Sequence, residues 1–326
     1  MGVETMDKQK ASEKVAQLKR KKSKRAGAFF AVGVVSILWG TTWMASKVGI
    51  KHIPALQLSG LRHLIGGGMY VLYFALFKKM LPQKHQFVQI LWMSILMFVL
   101  SNGLSVLSVV YMPSGLGAVV GAIAPIWVVL FSVFVFKRIK IKPQTVLGIL
   151  IGFFGVTITF YEFLGDILHS KFSLGIIFGV ISSITWALGT LFTAKQAKDM
   201  DPYFALGWQM FISGLILNTI SYTSGNFVSL GNITAEGWYA IAYLVIIGSV
   251  IAFGAYIYAL KRLPATLVSI HSYINPIVAI LIGSIMMNEE LTLFIFSGTI
   301  VTLVGVYIVR SSFQRKIKIA RKEIPV

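Results

Sequence analysis

Ten apolar stretches, each about as long as a bilayer core is thick, occupy nearly all of the chain between Ala28 and Val309. A helix needs about 20 apolar residues to cross a hydrocarbon layer of ~30 Å. The stretches near 28–50, 55–77, 88–111, 113–136, 144–163, 173–194, 204–225, 237–260, 264–287 and 291–310 meet that length. Lipid offers no partners to free backbone groups, and no stretch alternates as a barrel strand would, so the spans are predicted to be helices. With 56% hydrophobic and 13% charged residues, the exterior is too apolar for water and must face lipid. The expected class is an all-α polytopic membrane protein.

The second five stretches repeat the first. Trp39 pairs with Trp186 and Pro54 with Pro202; Gly103, Pro113 and Pro125 pair with Gly254, Pro264 and Pro276. Gly148 and Gly155 pair with Gly298 and Gly305. Five is odd, so a duplicated five-helix unit must enter the membrane the second time upside down. Ten transmembrane helices arranged as two inverted-topology repeats follow, a plan common among secondary transporters. The divisions are a basic tail (1–27), a first repeat (28–163), a second repeat (173–310) and a basic tail (311–326), with 161–172 joining the halves.

The net charge of +19 is distributed by topology. If both termini are cytoplasmic, all 30 Lys and Arg face the cytoplasm except Lys47, Lys51, Lys171 and the mid-span Arg62. That bias is the positive-inside rule, and it argues for a plasma-membrane protein with both ends inside. The first 26 residues read as a mobile cytosolic arm. The basic clusters suit anionic lipid as partner and argue against nucleic acid. Because one chain holds both halves, a monomer is sufficient; the sequence leaves a dimer open.

Several chemistries are missing. The chain has no cysteine, hence no disulfide or thiolate site. It has no Gly-rich Lys-Ser/Thr nucleotide loop, no metal-ligand spacing and no nucleophile–base pairing. No cofactor, no metal and no enzymatic activity are therefore expected.

Polar groups and mid-membrane aromatics are the candidates for function. Arg62 lies eight residues past Pro54, about 12 Å along its helix. Backbone carbonyls, Asn102 or a substrate carboxylate are its available partners; substrate contact, structural bonding and snorkelling all remain open. Trp39, Trp43 and Lys47 recur every four residues on one helix face. With Trp127 and Trp186 these indoles suit either an aromatic-lined cavity or plain packing. The second half adds Tyr256, and His271 and Asn275 make the kink at Pro276 polar where the matching Ile123-Ala124-Pro125 is not. His271 is either a carrier of a coupling proton or a neutral hydrogen-bonding group. Pro125 and Pro276 are expected to kink their helices at mid-span, at a gate or in ordinary packing.

The run Leu38-Trp39-Gly40-Thr41-Thr42-Trp43, then Pro54 and Leu61-Arg62-His63, resembles the opening of an EamA-type domain. So do Pro113 with Pro125, and Glu289-Glu290-Leu291-Thr292 with Gly298 and Gly305. From about Ala28 to Arg310 the chain is similar to the ten-helix members of the drug/metabolite transporter superfamily. Ile139 departs from that pattern, standing where the second copy has Glu289. The four-helix multidrug exporters of that superfamily rely on a glutamate in the first helix; here Thr41, Thr42 and Ser46 stand there instead.

The resemblance implies a midplane cavity drawn from helices one, three, four, six, eight and nine, and alternating access by the two halves. It also implies export of small metabolites such as amino acids. A passive facilitator or channel on the same scaffold is the alternative.

Overall fold

A computed structural model describes residues 2–135, 143–161, 170–196, 200–269, 271–288 and 290–322. The turn at 137–142 with Ile139, most of the 161–172 joint, Lys198 and Glu289 fall outside the described residues.

Ten helical rods make up the described chain. They are α1 (Gly2–Gly49), α2 (Ala55–Phe77), α3 (Lys84–Tyr111), α4 (Ser114–Phe134) and α5 (Pro143–Thr159). The second set is α6 (Ser170–Gln196), α7 (Pro202–Thr223), α8 (Ala235–Leu260), α9 (Ala265–Val268 continued by His271–Met287) and α10 (Leu293–Lys322). Six of them, α1 from Arg25 onward, α3, α4, α6, α7 and α8, are long and apolar enough to cross a membrane by length and composition alone. The apolar parts of α5, α9 and α10 are shorter. α2 spans 23 residues but carries Arg62 and His63.

The ends of the rods follow from local chemistry. Pro54, Pro113 and Pro264 each stand immediately before a helix, where a missing N–H disrupts nothing. Asp201 caps α7, its carboxylate accepting from the N–H groups of Tyr203 (2.8 Å) and Phe204 (3.2 Å), with Pro202 in the first turn. Thr234 Oγ1 caps α8 by accepting from Gly237 N–H at 3.3 Å.

Close glycine contacts reveal how the halves are related. A Cβ added at Gly67 in α2 would lie 2.3 Å from Phe211 N in α7, and one at Gly214 would lie 2.4 Å from Leu64 N. Residue numbers rise along α2 as they fall along α7, so these equivalent helices run antiparallel. The same holds for α5 and α10: a Cβ at Gly155 would meet Thr302 N at 2.2 Å, and one at Gly305 would meet Gly152 N at 2.2 Å. Backbones this close need small residues, as in many membrane helix pairs. Equivalent helices packed head to tail are what an inverted repeat requires.

The helix of the first span is continuous from Gly2 through the basic tail, in keeping with its Lys-, Glu-, Ala- and Gln-rich composition. At the other end, α10 continues to Lys322. The two mid-span prolines also act differently. α4 breaks after Gly121 and restarts at Ala124, so Pro125 sits in a first turn, where it interrupts no hydrogen bond. α9 breaks after Val268, and Pro276 lies inside the continuing helix. The two halves have thus placed their breaks at different points relative to the same proline.

The α3 and α8 rods each change to π-helical winding at related positions, Ile95–Gly103 and Leu244–Ile251. Such segments are uncommon and concentrate at functional sites. The main core, which includes Trp39, Phe98, Met210, Phe253 and Tyr256, lies between the halves. Outward-facing apolar side chains such as Phe30 (76% exposed), Phe153 and Ile285 (79%) supply the surface that lipid covers.

Candidate functional site

A cavity of about 110 Å³ lies between the repeats. At ~10–15 Å³ per water centre it holds several waters or part of a small solute. Its wall comes from α1 (Trp39, Thr42, Trp43, Ser46), α3 (Ser101, Asn102, Ser105, Val106), α4 (Ala118, Gly121, Ala124) and α6 (Gly179, Ser182, Ser183, Trp186). α8 adds Phe253, and α9 adds His271, Ser272 and Asn275. These are the six helices the family resemblance implied, and α2 joins them through Arg62.

Trp39 organises one side of this space. Its indole N–H donates to the carbonyl of Gly248 at 3.0 Å, tying α1 to the π segment of α8. Its ring meets those of Trp186 (5.1 Å), Phe253 (4.9 Å), Tyr256 (5.1 Å) and His271 (4.9 Å). Trp39 and Trp186 are repeat equivalents, and they touch edge to face at 84°. The axis relating the two halves therefore passes close to this pair. Four helices converge on one aromatic cluster, which lies on the Leu260 side of the cavity.

Arg62 is 4% exposed, and its Nε donates to Ser249 Oγ at 2.9 Å. No carboxylate pairs with it among the described residues, where the one ion pair is Lys261 with Asp201 at 3.8 Å. Asn102 does not reach it. The Asn102 amide turns back to the Met97 carbonyl at 2.8 Å, a bond within its own π segment. Lys47 is committed to the carbonyls of Val109 (2.6 Å) and Met112 (3.0 Å). His271 Nδ1 lies 3.5 Å from both Ser272 Oγ and Asn275 Nδ2.

Seven of the nine sequence candidates line the cavity: Trp39, Trp43, Arg62, Asn102, Trp186, His271 and Asn275. Trp127 and Tyr256 do not. Trp127 instead stacks on Phe131 and packs against Val128 and Leu191. Tyr256 sits beyond the aromatic cluster, where its hydroxyl meets Thr190 Oγ1 at 2.7 Å and its ring walls a smaller pocket with Thr193 and Gln209.

Sequence reasoning missed Ser249, Phe253 and the serines of α3 and α6. The signal was present for some: Ser101 with Ser105, and Ser182 with Trp186, repeat the four-residue spacing of Trp39 and Trp43. Among the described residues no group of His, Asp or Glu has the arrangement to hold a metal ion.

Ten rods in two inverted sets around an internal cavity define a multi-pass helical membrane transporter. The match to the EamA-like transporter family covers residues 25–161 and again 173–311, and the chain belongs to that family. It is 28% identical to the uncharacterized inner membrane transporter YedA of Escherichia coli K12, over 85% of this chain and 90% of YedA. The uncharacterized transporter YoaV of Bacillus subtilis is 25% identical, covering 87% of this chain and 98% of YoaV. A WAT1-related chloroplastic protein of Arabidopsis thaliana is 28% identical over 83% of this chain and 66% of its own length. One solved crystal structure, 18% identical, superposes with a TM-score of 0.66 over 87% of this chain and 97% of its own, and shares the fold.

Proposed function

We propose that this protein is a secondary transporter that moves small metabolites, amino acids or related compounds, out of the cell by alternating access. The observation that carries the reading is the cavity held between antiparallel repeats, walled by three indoles, a row of hydroxyls and one arginine. Cavities of this composition bind small organic solutes through apolar area and orient them with a few polar groups. The repeat relation supplies a second arrangement of the same parts, with the roles of the two halves exchanged.

Charge placement supports the orientation. Gly27 packs beside the Tyr258 hydroxyl and Arg262 covers the Tyr258 ring, so the basic N-terminal end and the 258–262 end lie together. Positive-inside bias puts that end in the cytoplasm. The lining residues of α1 and α3 come from the halves furthest from it, those of α4 from its outer half and midpoint, and those of α6 from around its midpoint, while Phe253, His271, Ser272 and Asn275 lie on the nearer side. The cavity in this arrangement faces outward, with the aromatic cluster closing its inner side. Both repeats lie in one chain, so a monomer is sufficient for this cycle.

Counterflow in proteoliposomes tests the reading, with a panel of amino acids and other small acids and with and without a pH gradient. Saturable uptake stimulated by substrate on the opposite side is the expected result. Linear, non-saturating flux without counterflow would replace the carrier with a channel, and comparison of inside-out with right-side-out vesicles tests the direction.

A further inference from the structure

We propose that the cavity takes a substrate carrying one carboxylate, which sits on the Arg62 guanidinium while its apolar body lies against Trp39, Trp43 and Trp186. The inference rests on this cavity being the transport site.

A guanidinium has five N–H donors in a planar fork. One of these reaches Ser249, and the Nη groups have no acceptor among the described residues. Arg62 is buried but lines the cavity, its Nη2 close beside Gly248 and its guanidinium in the wall of the space a ligand would occupy. The protein supplies no counter-charge: no Asp or Glu lies deep within any span. An arginine this deep in a span is stabilised most by an anionic or strongly accepting partner. The fork matches a carboxylate in bidentate geometry. One lining cation also fits one negative charge better than two, which favours a carboxylate over a phosphate dianion.

Internal symmetry argues against a purely structural arginine. Eight residues beyond each paired proline stand Arg62 and Met210; five residues before each paired glycine stand Phe98 and Ser249. The first copy's Arg62 meets the second copy's Ser249, whereas the mirror positions are Met210 and Phe98, both buried in the main core. The scaffold is therefore built equally well with an apolar pair in this place. The polar pair is an addition on one side of the axis, as a ligand with a distinct charged end requires.

The test is binding, read separately from flux. Purified protein is titrated with matched acid and amide pairs, among them 3-phenylpropionate with its amide, phenylalanine with phenylalaninamide, and 4-methylvalerate with its amide. Thermal stabilisation and tryptophan fluorescence report occupancy. Acids in at least one pair are expected to bind about tenfold or more tightly than their amides. That preference is expected to vanish in Arg62→Met, which copies the other repeat, and to shrink in Arg62→Lys, which keeps charge but loses the fork. Equal binding of acid and amide, an undiminished preference in both variants, or no binding by any acid overturns the inference. Acid-selective binding without flux would leave it standing and defeat the carrier reading; saturable flux of cationic or neutral solutes alone would do the reverse.

Discussion

Replacing Gly155 with alanine tests the inverted architecture where it is tightest. The added Cβ would lie 2.2 Å from Thr302 N, 2.5 Å from Thr302 Oγ1 and 2.8 Å from Gly298 O. Ordinary contact begins at 3.4 Å, so α5 and α10 must part locally by about 1.2 Å or shift along one another. The obstructing atoms are mainly backbone, which no rotamer change can move. A gap of that size forfeits roughly half of the dispersion well for each atom pair across it. Overpacking of this kind costs about 1–3 kcal/mol. Gly33→Ala is the control, because nothing lies within 4 Å of a Cβ there and alanine gains up to about 1 kcal/mol of helix propensity. Unfolding in mixed micelles, followed by tryptophan fluorescence, should show Gly155→Ala destabilised and Gly33→Ala unchanged or more stable. If both variants unfold together with the parent, the α5–α10 contact described here is wrong.

Three other substitutions probe separate parts. Gln57→Leu removes both bonds that clamp the loop after α7, from Gln57 Nε2 to Val228 O (2.6 Å) and from Val228 N–H to Gln57 Oε1 (2.8 Å); a loss of about 1–3 kcal/mol is expected, with faster proteolysis of that loop. Asp201→Ala deletes the cap of α7 and should cost about 1 kcal/mol, whereas Asp201→Asn should retain most of it. Trp39→Phe keeps a ring in the cluster but leaves the Gly248 carbonyl without its 3.0 Å indole donor; it should destabilise by about 1–2 kcal/mol and lower transport more than Asn102→Ala does.

Spans, class and duplication were legible in the chain because lipid imposes length and apolarity on any segment that crosses it. Trp39 and Trp186, or Gly155 and Gly305, could be matched by eye as repeat partners. What each partner touches was not visible. Trp43 reached the cavity wall and Trp127 did not, although both are mid-span indoles, because the answer depends on which way each helix is turned. Pro125 misled for a related reason: it looked like a kink inside a helix, yet the break at Ala122 and Ile123 comes first and makes it a helix start, whereas Pro276 does lie inside its helix.

Arg62 shows where the two sources divide. Hydropathy and spacing alone place a charge at mid-depth with no acid to meet it. That its neighbour is Ser249, 187 residues away, came only from the crossing of α2 with the π segment of α8. Solvent chemistry acts on each segment independently and so is written along the chain. Contacts between segments arise from the mutual rotation and register of ten helices, which only their packing together defines.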